Sequence, residues 1–477
     1  MPPKKSKVSV KSAKKATTIL KLNDVCLFTI FSYLSLIDVI DVEKVCKKFK
    51  KVANTVYKNY KTLNFDHIFD EGINYNKRSI QEMCMKVGPY ITSLTISQSE
   101  NHNFDDIDDD YDDMDESDSS NDIDYNYSRF PFVIRILKYC KKLEYLHLSG
   151  FNLEKEIRDL IPIFRKLKTA KLENANLNDN IKKCFKVSQN LEILSLAGND
   201  KLYGECLLPL KNIKQLNLHK CSKIHSDDFL KFCKENPDLT HLDISYCDKL
   251  NQKCFEAMVK TFKGLKYLTL GFAYEEHKLD YTILAKLTKL THLTLSCNRK
   301  FGPLFQIMAD KKKKLEYLNA SCTSKETLEA IALLNNLKVF VTNKNFNVEI
   351  LLQFRSSEKL VELHISCMNL SDNDMIRVIN SFPALKYLNI EGSQSITKDF
   401  VTKHLSDLLP RKKPLEINVA NTKISRNLLE ELNNAVPSTS GGSKRSKVAG
   451  TLKSKRARFE NTDFVMYSKI KFLFKHK

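Results

Sequence analysis

The sequence predicts an α/β solenoid, with parallel strands on the inside and helices on the outside, about thirteen units long and preceded by a small all-helical module. Three observations predict it. Between residues 91 and 419 a short pattern recurs: an apolar residue, two variable positions, then two apolar residues spaced by one. Segments between the copies open on Ser, Asp or Asn and carry apolar residues at spacings of three and four, as outer helices require. Ahead of the copies, residues 22–53 hold more apolar side chains than a helical hairpin can bury alone. At 477 residues the chain exceeds what one globular core usually serves, and an elongated array resolves that.

Taken in chain order, residues 1–21 hold seven lysines and no acidic residue, which predicts a disordered basic tail. Residues 22–68 are expected to form the helical module. Asn23 is placed to cap a first helix in which Val25, Leu27, Phe28, Ile30, Phe31 and Leu34 are apolar over much of the circumference. A second segment sets Val39, Val42, Val45, Cys46, Phe49 and Val52 at helical spacing, with Lys47, Lys48, Lys50 and Lys51 between them. Part of this apolar surface has to meet a partner or cover the end of the array.

The segment resembles an F-box, whose pattern opens on Leu-Pro, runs through I-F-S-Y-L and closes on V-C-[KR]-[KR]-W. The resemblance runs without a gap through Leu22, Ile30, Phe31, Ser32, Tyr33, Leu34, Asp38, Val45, Cys46, Lys47 and Lys48. Asn23 and Ser35 stand where proline is usual, and Phe49 replaces the tryptophan while keeping an aromatic anchor. The resemblance implies docking on a Skp-family adaptor, and through it on a cullin scaffold. The contacts expected are Leu22, Val25, Leu27, Ile30, Phe31, Leu34, Val39, Val45, Cys46 and Phe49.

Residues 69–436 are expected to hold the array, interrupted by an acidic insertion at 100–128 with 13 Asp and Glu and no Lys or Arg. So charged a stretch predicts a solvated loop. A calcium loop fails on spacing, because Asp113 stands where an EF-hand needs Gly and Ser119 where it needs Glu. Outside the insertion 77 basic residues face 44 acidic ones, a balance of +33 against the whole chain's +20. Such a surplus favours acidic partners, nucleic acid among them, in a salt-dependent way.

The copies begin at Ile91, Leu143, Leu167, Leu191, Ile213, Leu239, Leu265, Leu290, Leu315, Leu337, Leu360, Leu385 and Pro414. Together they match the L-x-x-L-x-L-x-x-N/C signature of leucine-rich repeats, with Cys221 and Cys247 pointing to the cysteine-containing subtype. Three residues past the last strand position stand Asn199, Cys221, Cys247, Asn298, Thr323, Asn345, Ser393 and Thr422. Small polar residues or cysteine fit there because the chain turns and buried side chains must satisfy freed backbone groups. Cys221 and Cys247 are therefore read as structural, with no metal site expected.

Outward positions of the strands predict a concave surface. One column holds Tyr145, His241, Tyr267, His292, Tyr317 and Tyr387, and the next His147, Asn217, Asp243, Asn319, His364 and Asn389. Tyr and His are compact and amphipathic, which suits binding a protein substrate, although β-preference alone also favours tyrosine on a sheet.

Residues 437–458 form a basic linker with clusters at Lys444, Arg445, Lys447 and at Lys453, Lys455, Arg456, Arg458. This spacing fits a bipartite signal for an import receptor, and equally a solubilising tail. Residues 459–477 regain apolar character, which suits a final cap on the array, without a readable structure. Nuclear and/or cytoplasmic residence is expected, since the thirteen cysteines lack any C-x-x-C pair and no apolar run is long enough to span a membrane. Phosphate-binding glycine loops, H-E-x-x-H and G-x-S-x-G are absent, so neither an enzyme nor a cofactor is expected. By the two resemblances the chain looks like the substrate receptor of a cullin-based ubiquitin ligase. A repeat scaffold without ligase role, or a nuclear nucleic-acid-associated protein, is the alternative reading.

Overall fold

The third position of each copy opens a strand, except that the last strand starts one residue earlier, at Leu415. The computed structural model describes residues 19–65, 77–97, 130–271, 279–296, 301–320, 324–343, 347–366, 368–403, 414–425, 427–428, 464–467 and 470–473. The tail to residue 18, the acidic insertion, the linker 437–458 and Asn298, Thr323 and Asn345 lie outside the described residues.

Contacts divide the chain into residues 1–169 and 170–477. In the first unit three parallel strands follow one another: β1 (Thr62–Asn64), β2 (Ser93–Ser97) and β3 (Tyr145–Ser149). The second unit runs from β4 (Thr169–Glu173), β5 (Ile193–Ser195) and β6 (Gln215–Asn217) through β7 (His241–Asp243), β8 (Tyr267–Leu270) and β9 (His292–Leu295). It continues with β10 (Tyr317–Ala320), β11 (Val339–Thr342), β12 (Glu362–Ile365), β13 (Tyr387–Asn389) and β14 (Leu415–Asn418). This is the leucine-rich-repeat solenoid that the pattern predicts.

One backbone device carries the register from repeat to repeat. Along most of the array the carbonyl of the second position accepts two amides from the next repeat, as Lys214 does from Thr240 and His241, and Thr240 from Lys266 and Tyr267. Leucines of the pattern point inward, and Leu216, Leu242, Leu268, Leu293 and Leu318 are all buried on successive strands. Burying one such side chain stabilises by about 1.5–3 kcal/mol.

Behind the strands Ser226–Glu235 and Gln252–Thr261 are the expected helices, the second capped by Asn251. Elsewhere the return is tighter than expected: Glu205–Leu207 and Tyr281–Lys286 are 3-10 turns.

The turn positions are structural. Asn199 is fully buried, its Oδ1 accepting the amides of Ala175 and Leu177 while its Nδ2 donates to the carbonyls of Leu172 and Leu196. Cys221 and Cys247 do half that work, each thiol donating to a strand-end carbonyl of the preceding repeat, Leu196 at 3.1 Å and Leu218 at 3.0 Å. Burial pushes the Cys221 thiol up to about 12, so it stays protonated and able to donate.

Two elements were not legible beforehand. β1 lies inside residues 22–68, so the strand array starts at Thr62, within the stretch expected to be wholly helical. The C-terminal residues form an antiparallel pair, β15 (Phe464–Tyr467) and β16 (Ile470–Leu473), with β16 parallel to β14.

Candidate functional site

On the outward side of the sheet, register brings His241, Tyr267, His292 and Tyr317 side by side on β7 to β10. Their rings stack: His241 on Tyr267 at 4.1 Å, Tyr267 on His292 at 4.2 Å, His292 on Tyr317 at 5.5 Å. Further along, His364 leans on Tyr387 at 5.3 Å. Tyr387 stands in register between Glu362 and Glu416. Its hydroxyl pKa is raised, first by burial and then by the carboxylates of Glu391, Glu362 and Glu416. Burial also lowers the pKa of His241 and of His292, the latter against the opposing pull of Glu316.

The second expected column is largely occupied by its own chain. Asn217, Asp243 and Asn389 each accept the amide two residues on, from His219, Ser245 and Glu391. Asn389 is buried and also accepts from Asn418 Nδ2, so it is a strand-end brace rather than a contact residue. Asn217 and Asp243 still line a hollow of about 260 Å³ with Lys171, Glu173, Gln215 and His241. Asn319 and His364 remain on the outward side, half-buried. Tyr145 and His147 lie on β3 of the first unit, half-buried and in register with Ser93 and Thr95.

The N-terminal module is three helices: α1 (Asp24–Phe31), α2 (Leu36–Glu43) and α3 (Lys47–Val56). Each has a side-chain cap, with Asn23 accepting from Cys26, Ser35 from Asp38, and the Cys46 sulfur from Phe49. Leu27, Phe31, Val39 and Phe49 close the core, Phe31 and Phe49 meeting edge to face at 5.2 Å. Those four, expected to touch an adaptor, are spent inside the module, because three short helices need them to bury any core. Leu22, Leu34 and Cys46 are half-buried. What the module presents is Val25 at 72% exposure, Ile30 at 39%, Val45 at 67% and Tyr33 at 86%.

Two further contacts fasten the module. Lys48 Nζ donates to the carbonyls of Leu20 and Leu22, holding the chain ahead of α1 against α3. Glu43, buried at the end of α2, accepts from the Tyr57 hydroxyl at 2.8 Å and pairs with Lys86 of the helix Lys77–Val87.

Residues 19–61 match the F-box domain family. The match ends one residue before β1 begins, so the F-box is joined directly to the strand array. No curated protein matches the chain. Among solved structures an internalin from Listeria monocytogenes is similar, at 19% identity over 58% of this chain and 82% of its own, with a TM-score of 0.37. Within the F-box, Tyr33 is the exposed residue missing from the expected contacts, though it stands in the I-F-S-Y-L run. Its position past the end of α1, in the turn before Ser35, is what turns it outward. Among the described residues no group of three or more His, Cys, Asp or Glu is placed to hold a metal ion.

Proposed function

We propose that the chain is the substrate-recognition subunit of a Skp-cullin-F-box ubiquitin ligase. The F-box docks on a Skp-family adaptor, the adaptor on a cullin, and the repeats hold a protein for ubiquitination. The observation that carries this reading is the exposed apolar set Val25, Ile30, Tyr33 and Val45 on a module whose own core is already closed by Leu27, Phe31, Val39 and Phe49. Large apolar side chains left on a satisfied module mark a partner surface. For the repeats the support is the ring stack, whose side chains contribute nothing to the leucine core behind them.

The test is adaptor binding by the full-length chain and by a variant with Val25→Ala, Tyr33→Ala and Val45→Ala. Truncations losing about 4 kcal/mol of buried apolar contact lower affinity by roughly a thousandfold. Equal binding by parent and variant, or none by a folded parent, overturns the proposal and leaves a repeat scaffold without ligase role. Nuclear entry is proposed on the basic clusters between Lys444 and Arg458 alone. Fusions lacking residues 437–458 that still enter the nucleus remove that support.

A further inference from the structure

The outward side of β4 to β14 differs in charge from the chain that carries it. Its outward strand positions hold four carboxylates, Glu173, Asp243, Glu362 and Glu416, against one cation, Lys171, with Lys471 of β16 in register beside Glu416, in a protein of net charge +20. Serine hydroxyls hold two of them in place: Ser195 donates to Glu173 at 2.6 Å and Ser245 to Asp243 at 2.5 Å. Glu362 lies 3.7 Å from His364.

Threonine hydroxyls hold the stacked histidines: Thr240 Oγ1 lies 2.8 Å from His241 Nδ1 and Thr291 Oγ1 lies 2.9 Å from His292 Nδ1. The stacked rings, the phenols of Tyr267 and Tyr317 among them, and the carboxylates beside Tyr387 share one face. Aromatic π-systems and carboxylates are the groups that attract ammonium and guanidinium. The basic remainder of the chain repels the same groups, which concentrates attraction on this sheet.

We propose that this face binds a lysine- or arginine-rich segment of a partner protein, its cationic groups set against the His241–Tyr267–His292–Tyr317 rings and against Glu362 and Glu416 on either side of Tyr387. The proposal rests on reading the sheet face as the substrate surface and names the chemistry of what is held there. Like-charge exclusion follows from it, since an acidic segment meets carboxylates.

Selection from a random peptide library decides it, run on the full-length chain, on Glu362→Gln/Glu416→Gln and on Tyr267→Ala/Tyr317→Ala, and repeated on a chain lacking residues 437–458. All four side chains lie outside the leucine core, and an unchanged melting midpoint verifies folding. The expected result is enrichment of Lys and Arg, with selected peptides binding in a salt-dependent way and losing roughly tenfold or more in affinity on either variant. Peptides poor in Lys and Arg whose binding still depends on these positions overturn the cationic class while leaving the face as substrate surface. Binding that is equal on all three proteins overturns both. Lys- and Arg-rich peptides selected only after deletion of residues 437–458 assign the face to that basic segment instead of a partner.

Discussion

Phe31 and Tyr33 stand two positions apart, the first inside the F-box core and the second almost wholly in solvent. Their substitutions should separate stability from docking. Phe31→Ala removes the ring that meets Phe49, a loss of about 3–5 kcal/mol that a three-helix module cannot absorb. Tyr33→Ala should leave the melting midpoint unchanged while weakening adaptor binding, measured by calorimetry on the same preparation. Loss of folding in both, or of binding in neither, contradicts the assignment. His241 and His292 permit a pH test. Burial holds both below the usual histidine pKa of about 6.5, so the unfolded chain binds more protons as pH falls and stability is lost from that value downward. The charged groups that tune them are His292 and Lys266 for His241, and Glu316 and Lys338 for His292. Melting midpoints between pH 7 and 5 should fall less steeply for His241→Gln/His292→Gln than for the parent, and parallel curves would remove the effect. At this scale the sequence showed which residues are apolar but not which face inward: Val25 and Leu27 read alike until three helices pack and bury one of them.

Among elements, the contact between α2 and the helix Lys77–Val87 turns on one carboxylate. Glu43→Ala leaves the Tyr57 hydroxyl without its partner and Lys86 without its counter-charge, at a cost of about 1–3 kcal/mol. Thermal unfolding of Glu43→Ala beside Glu43→Gln checks it, since glutamine keeps an acceptor for Tyr57 and should recover part of the loss. Equal midpoints for all three chains would show that the contact stabilises nothing. Nothing in the sequence paired Glu43 with Lys86, because side chains 43 residues apart meet only through the fold. Strand positions were legible wherever leucine filled the pattern. β1 was not, for its equivalent positions are Tyr60, Leu63 and Phe65, and aromatic residues hide the match. The ring stack was legible as a column, since spacing by repeat fixes neighbours across parallel strands. The bracing role of Asn217, Asp243 and Asn389 was not, because a polar residue at a strand end reads the same whether it faces a partner or its own turn.

A repeat array has two ends, and each exposes a row of backbone donors and acceptors unless something pairs with it. In the second unit that task falls to β16, whose register with β14 runs from Leu415↔Ile470 to Asn418↔Leu473, with β15 antiparallel on its far side. Reversal to an antiparallel pair ends the parallel run; apolar composition pointed to a cap over residues 459–477, but no leucine pattern marked its strands. A chain ending at residue 458 loses both strands and leaves the β14 edge open, next to the buried side chains of Leu415 and Ile417. Such an edge pairs with other chains, so the truncated protein should elute as higher oligomers on size exclusion and melt at a lower temperature. The comparison should be made at several concentrations, because edge-to-edge association grows with concentration whereas simple loss of a cap does not. A truncated chain that stays monomeric and melts with the parent would show that β14 closes the array unaided.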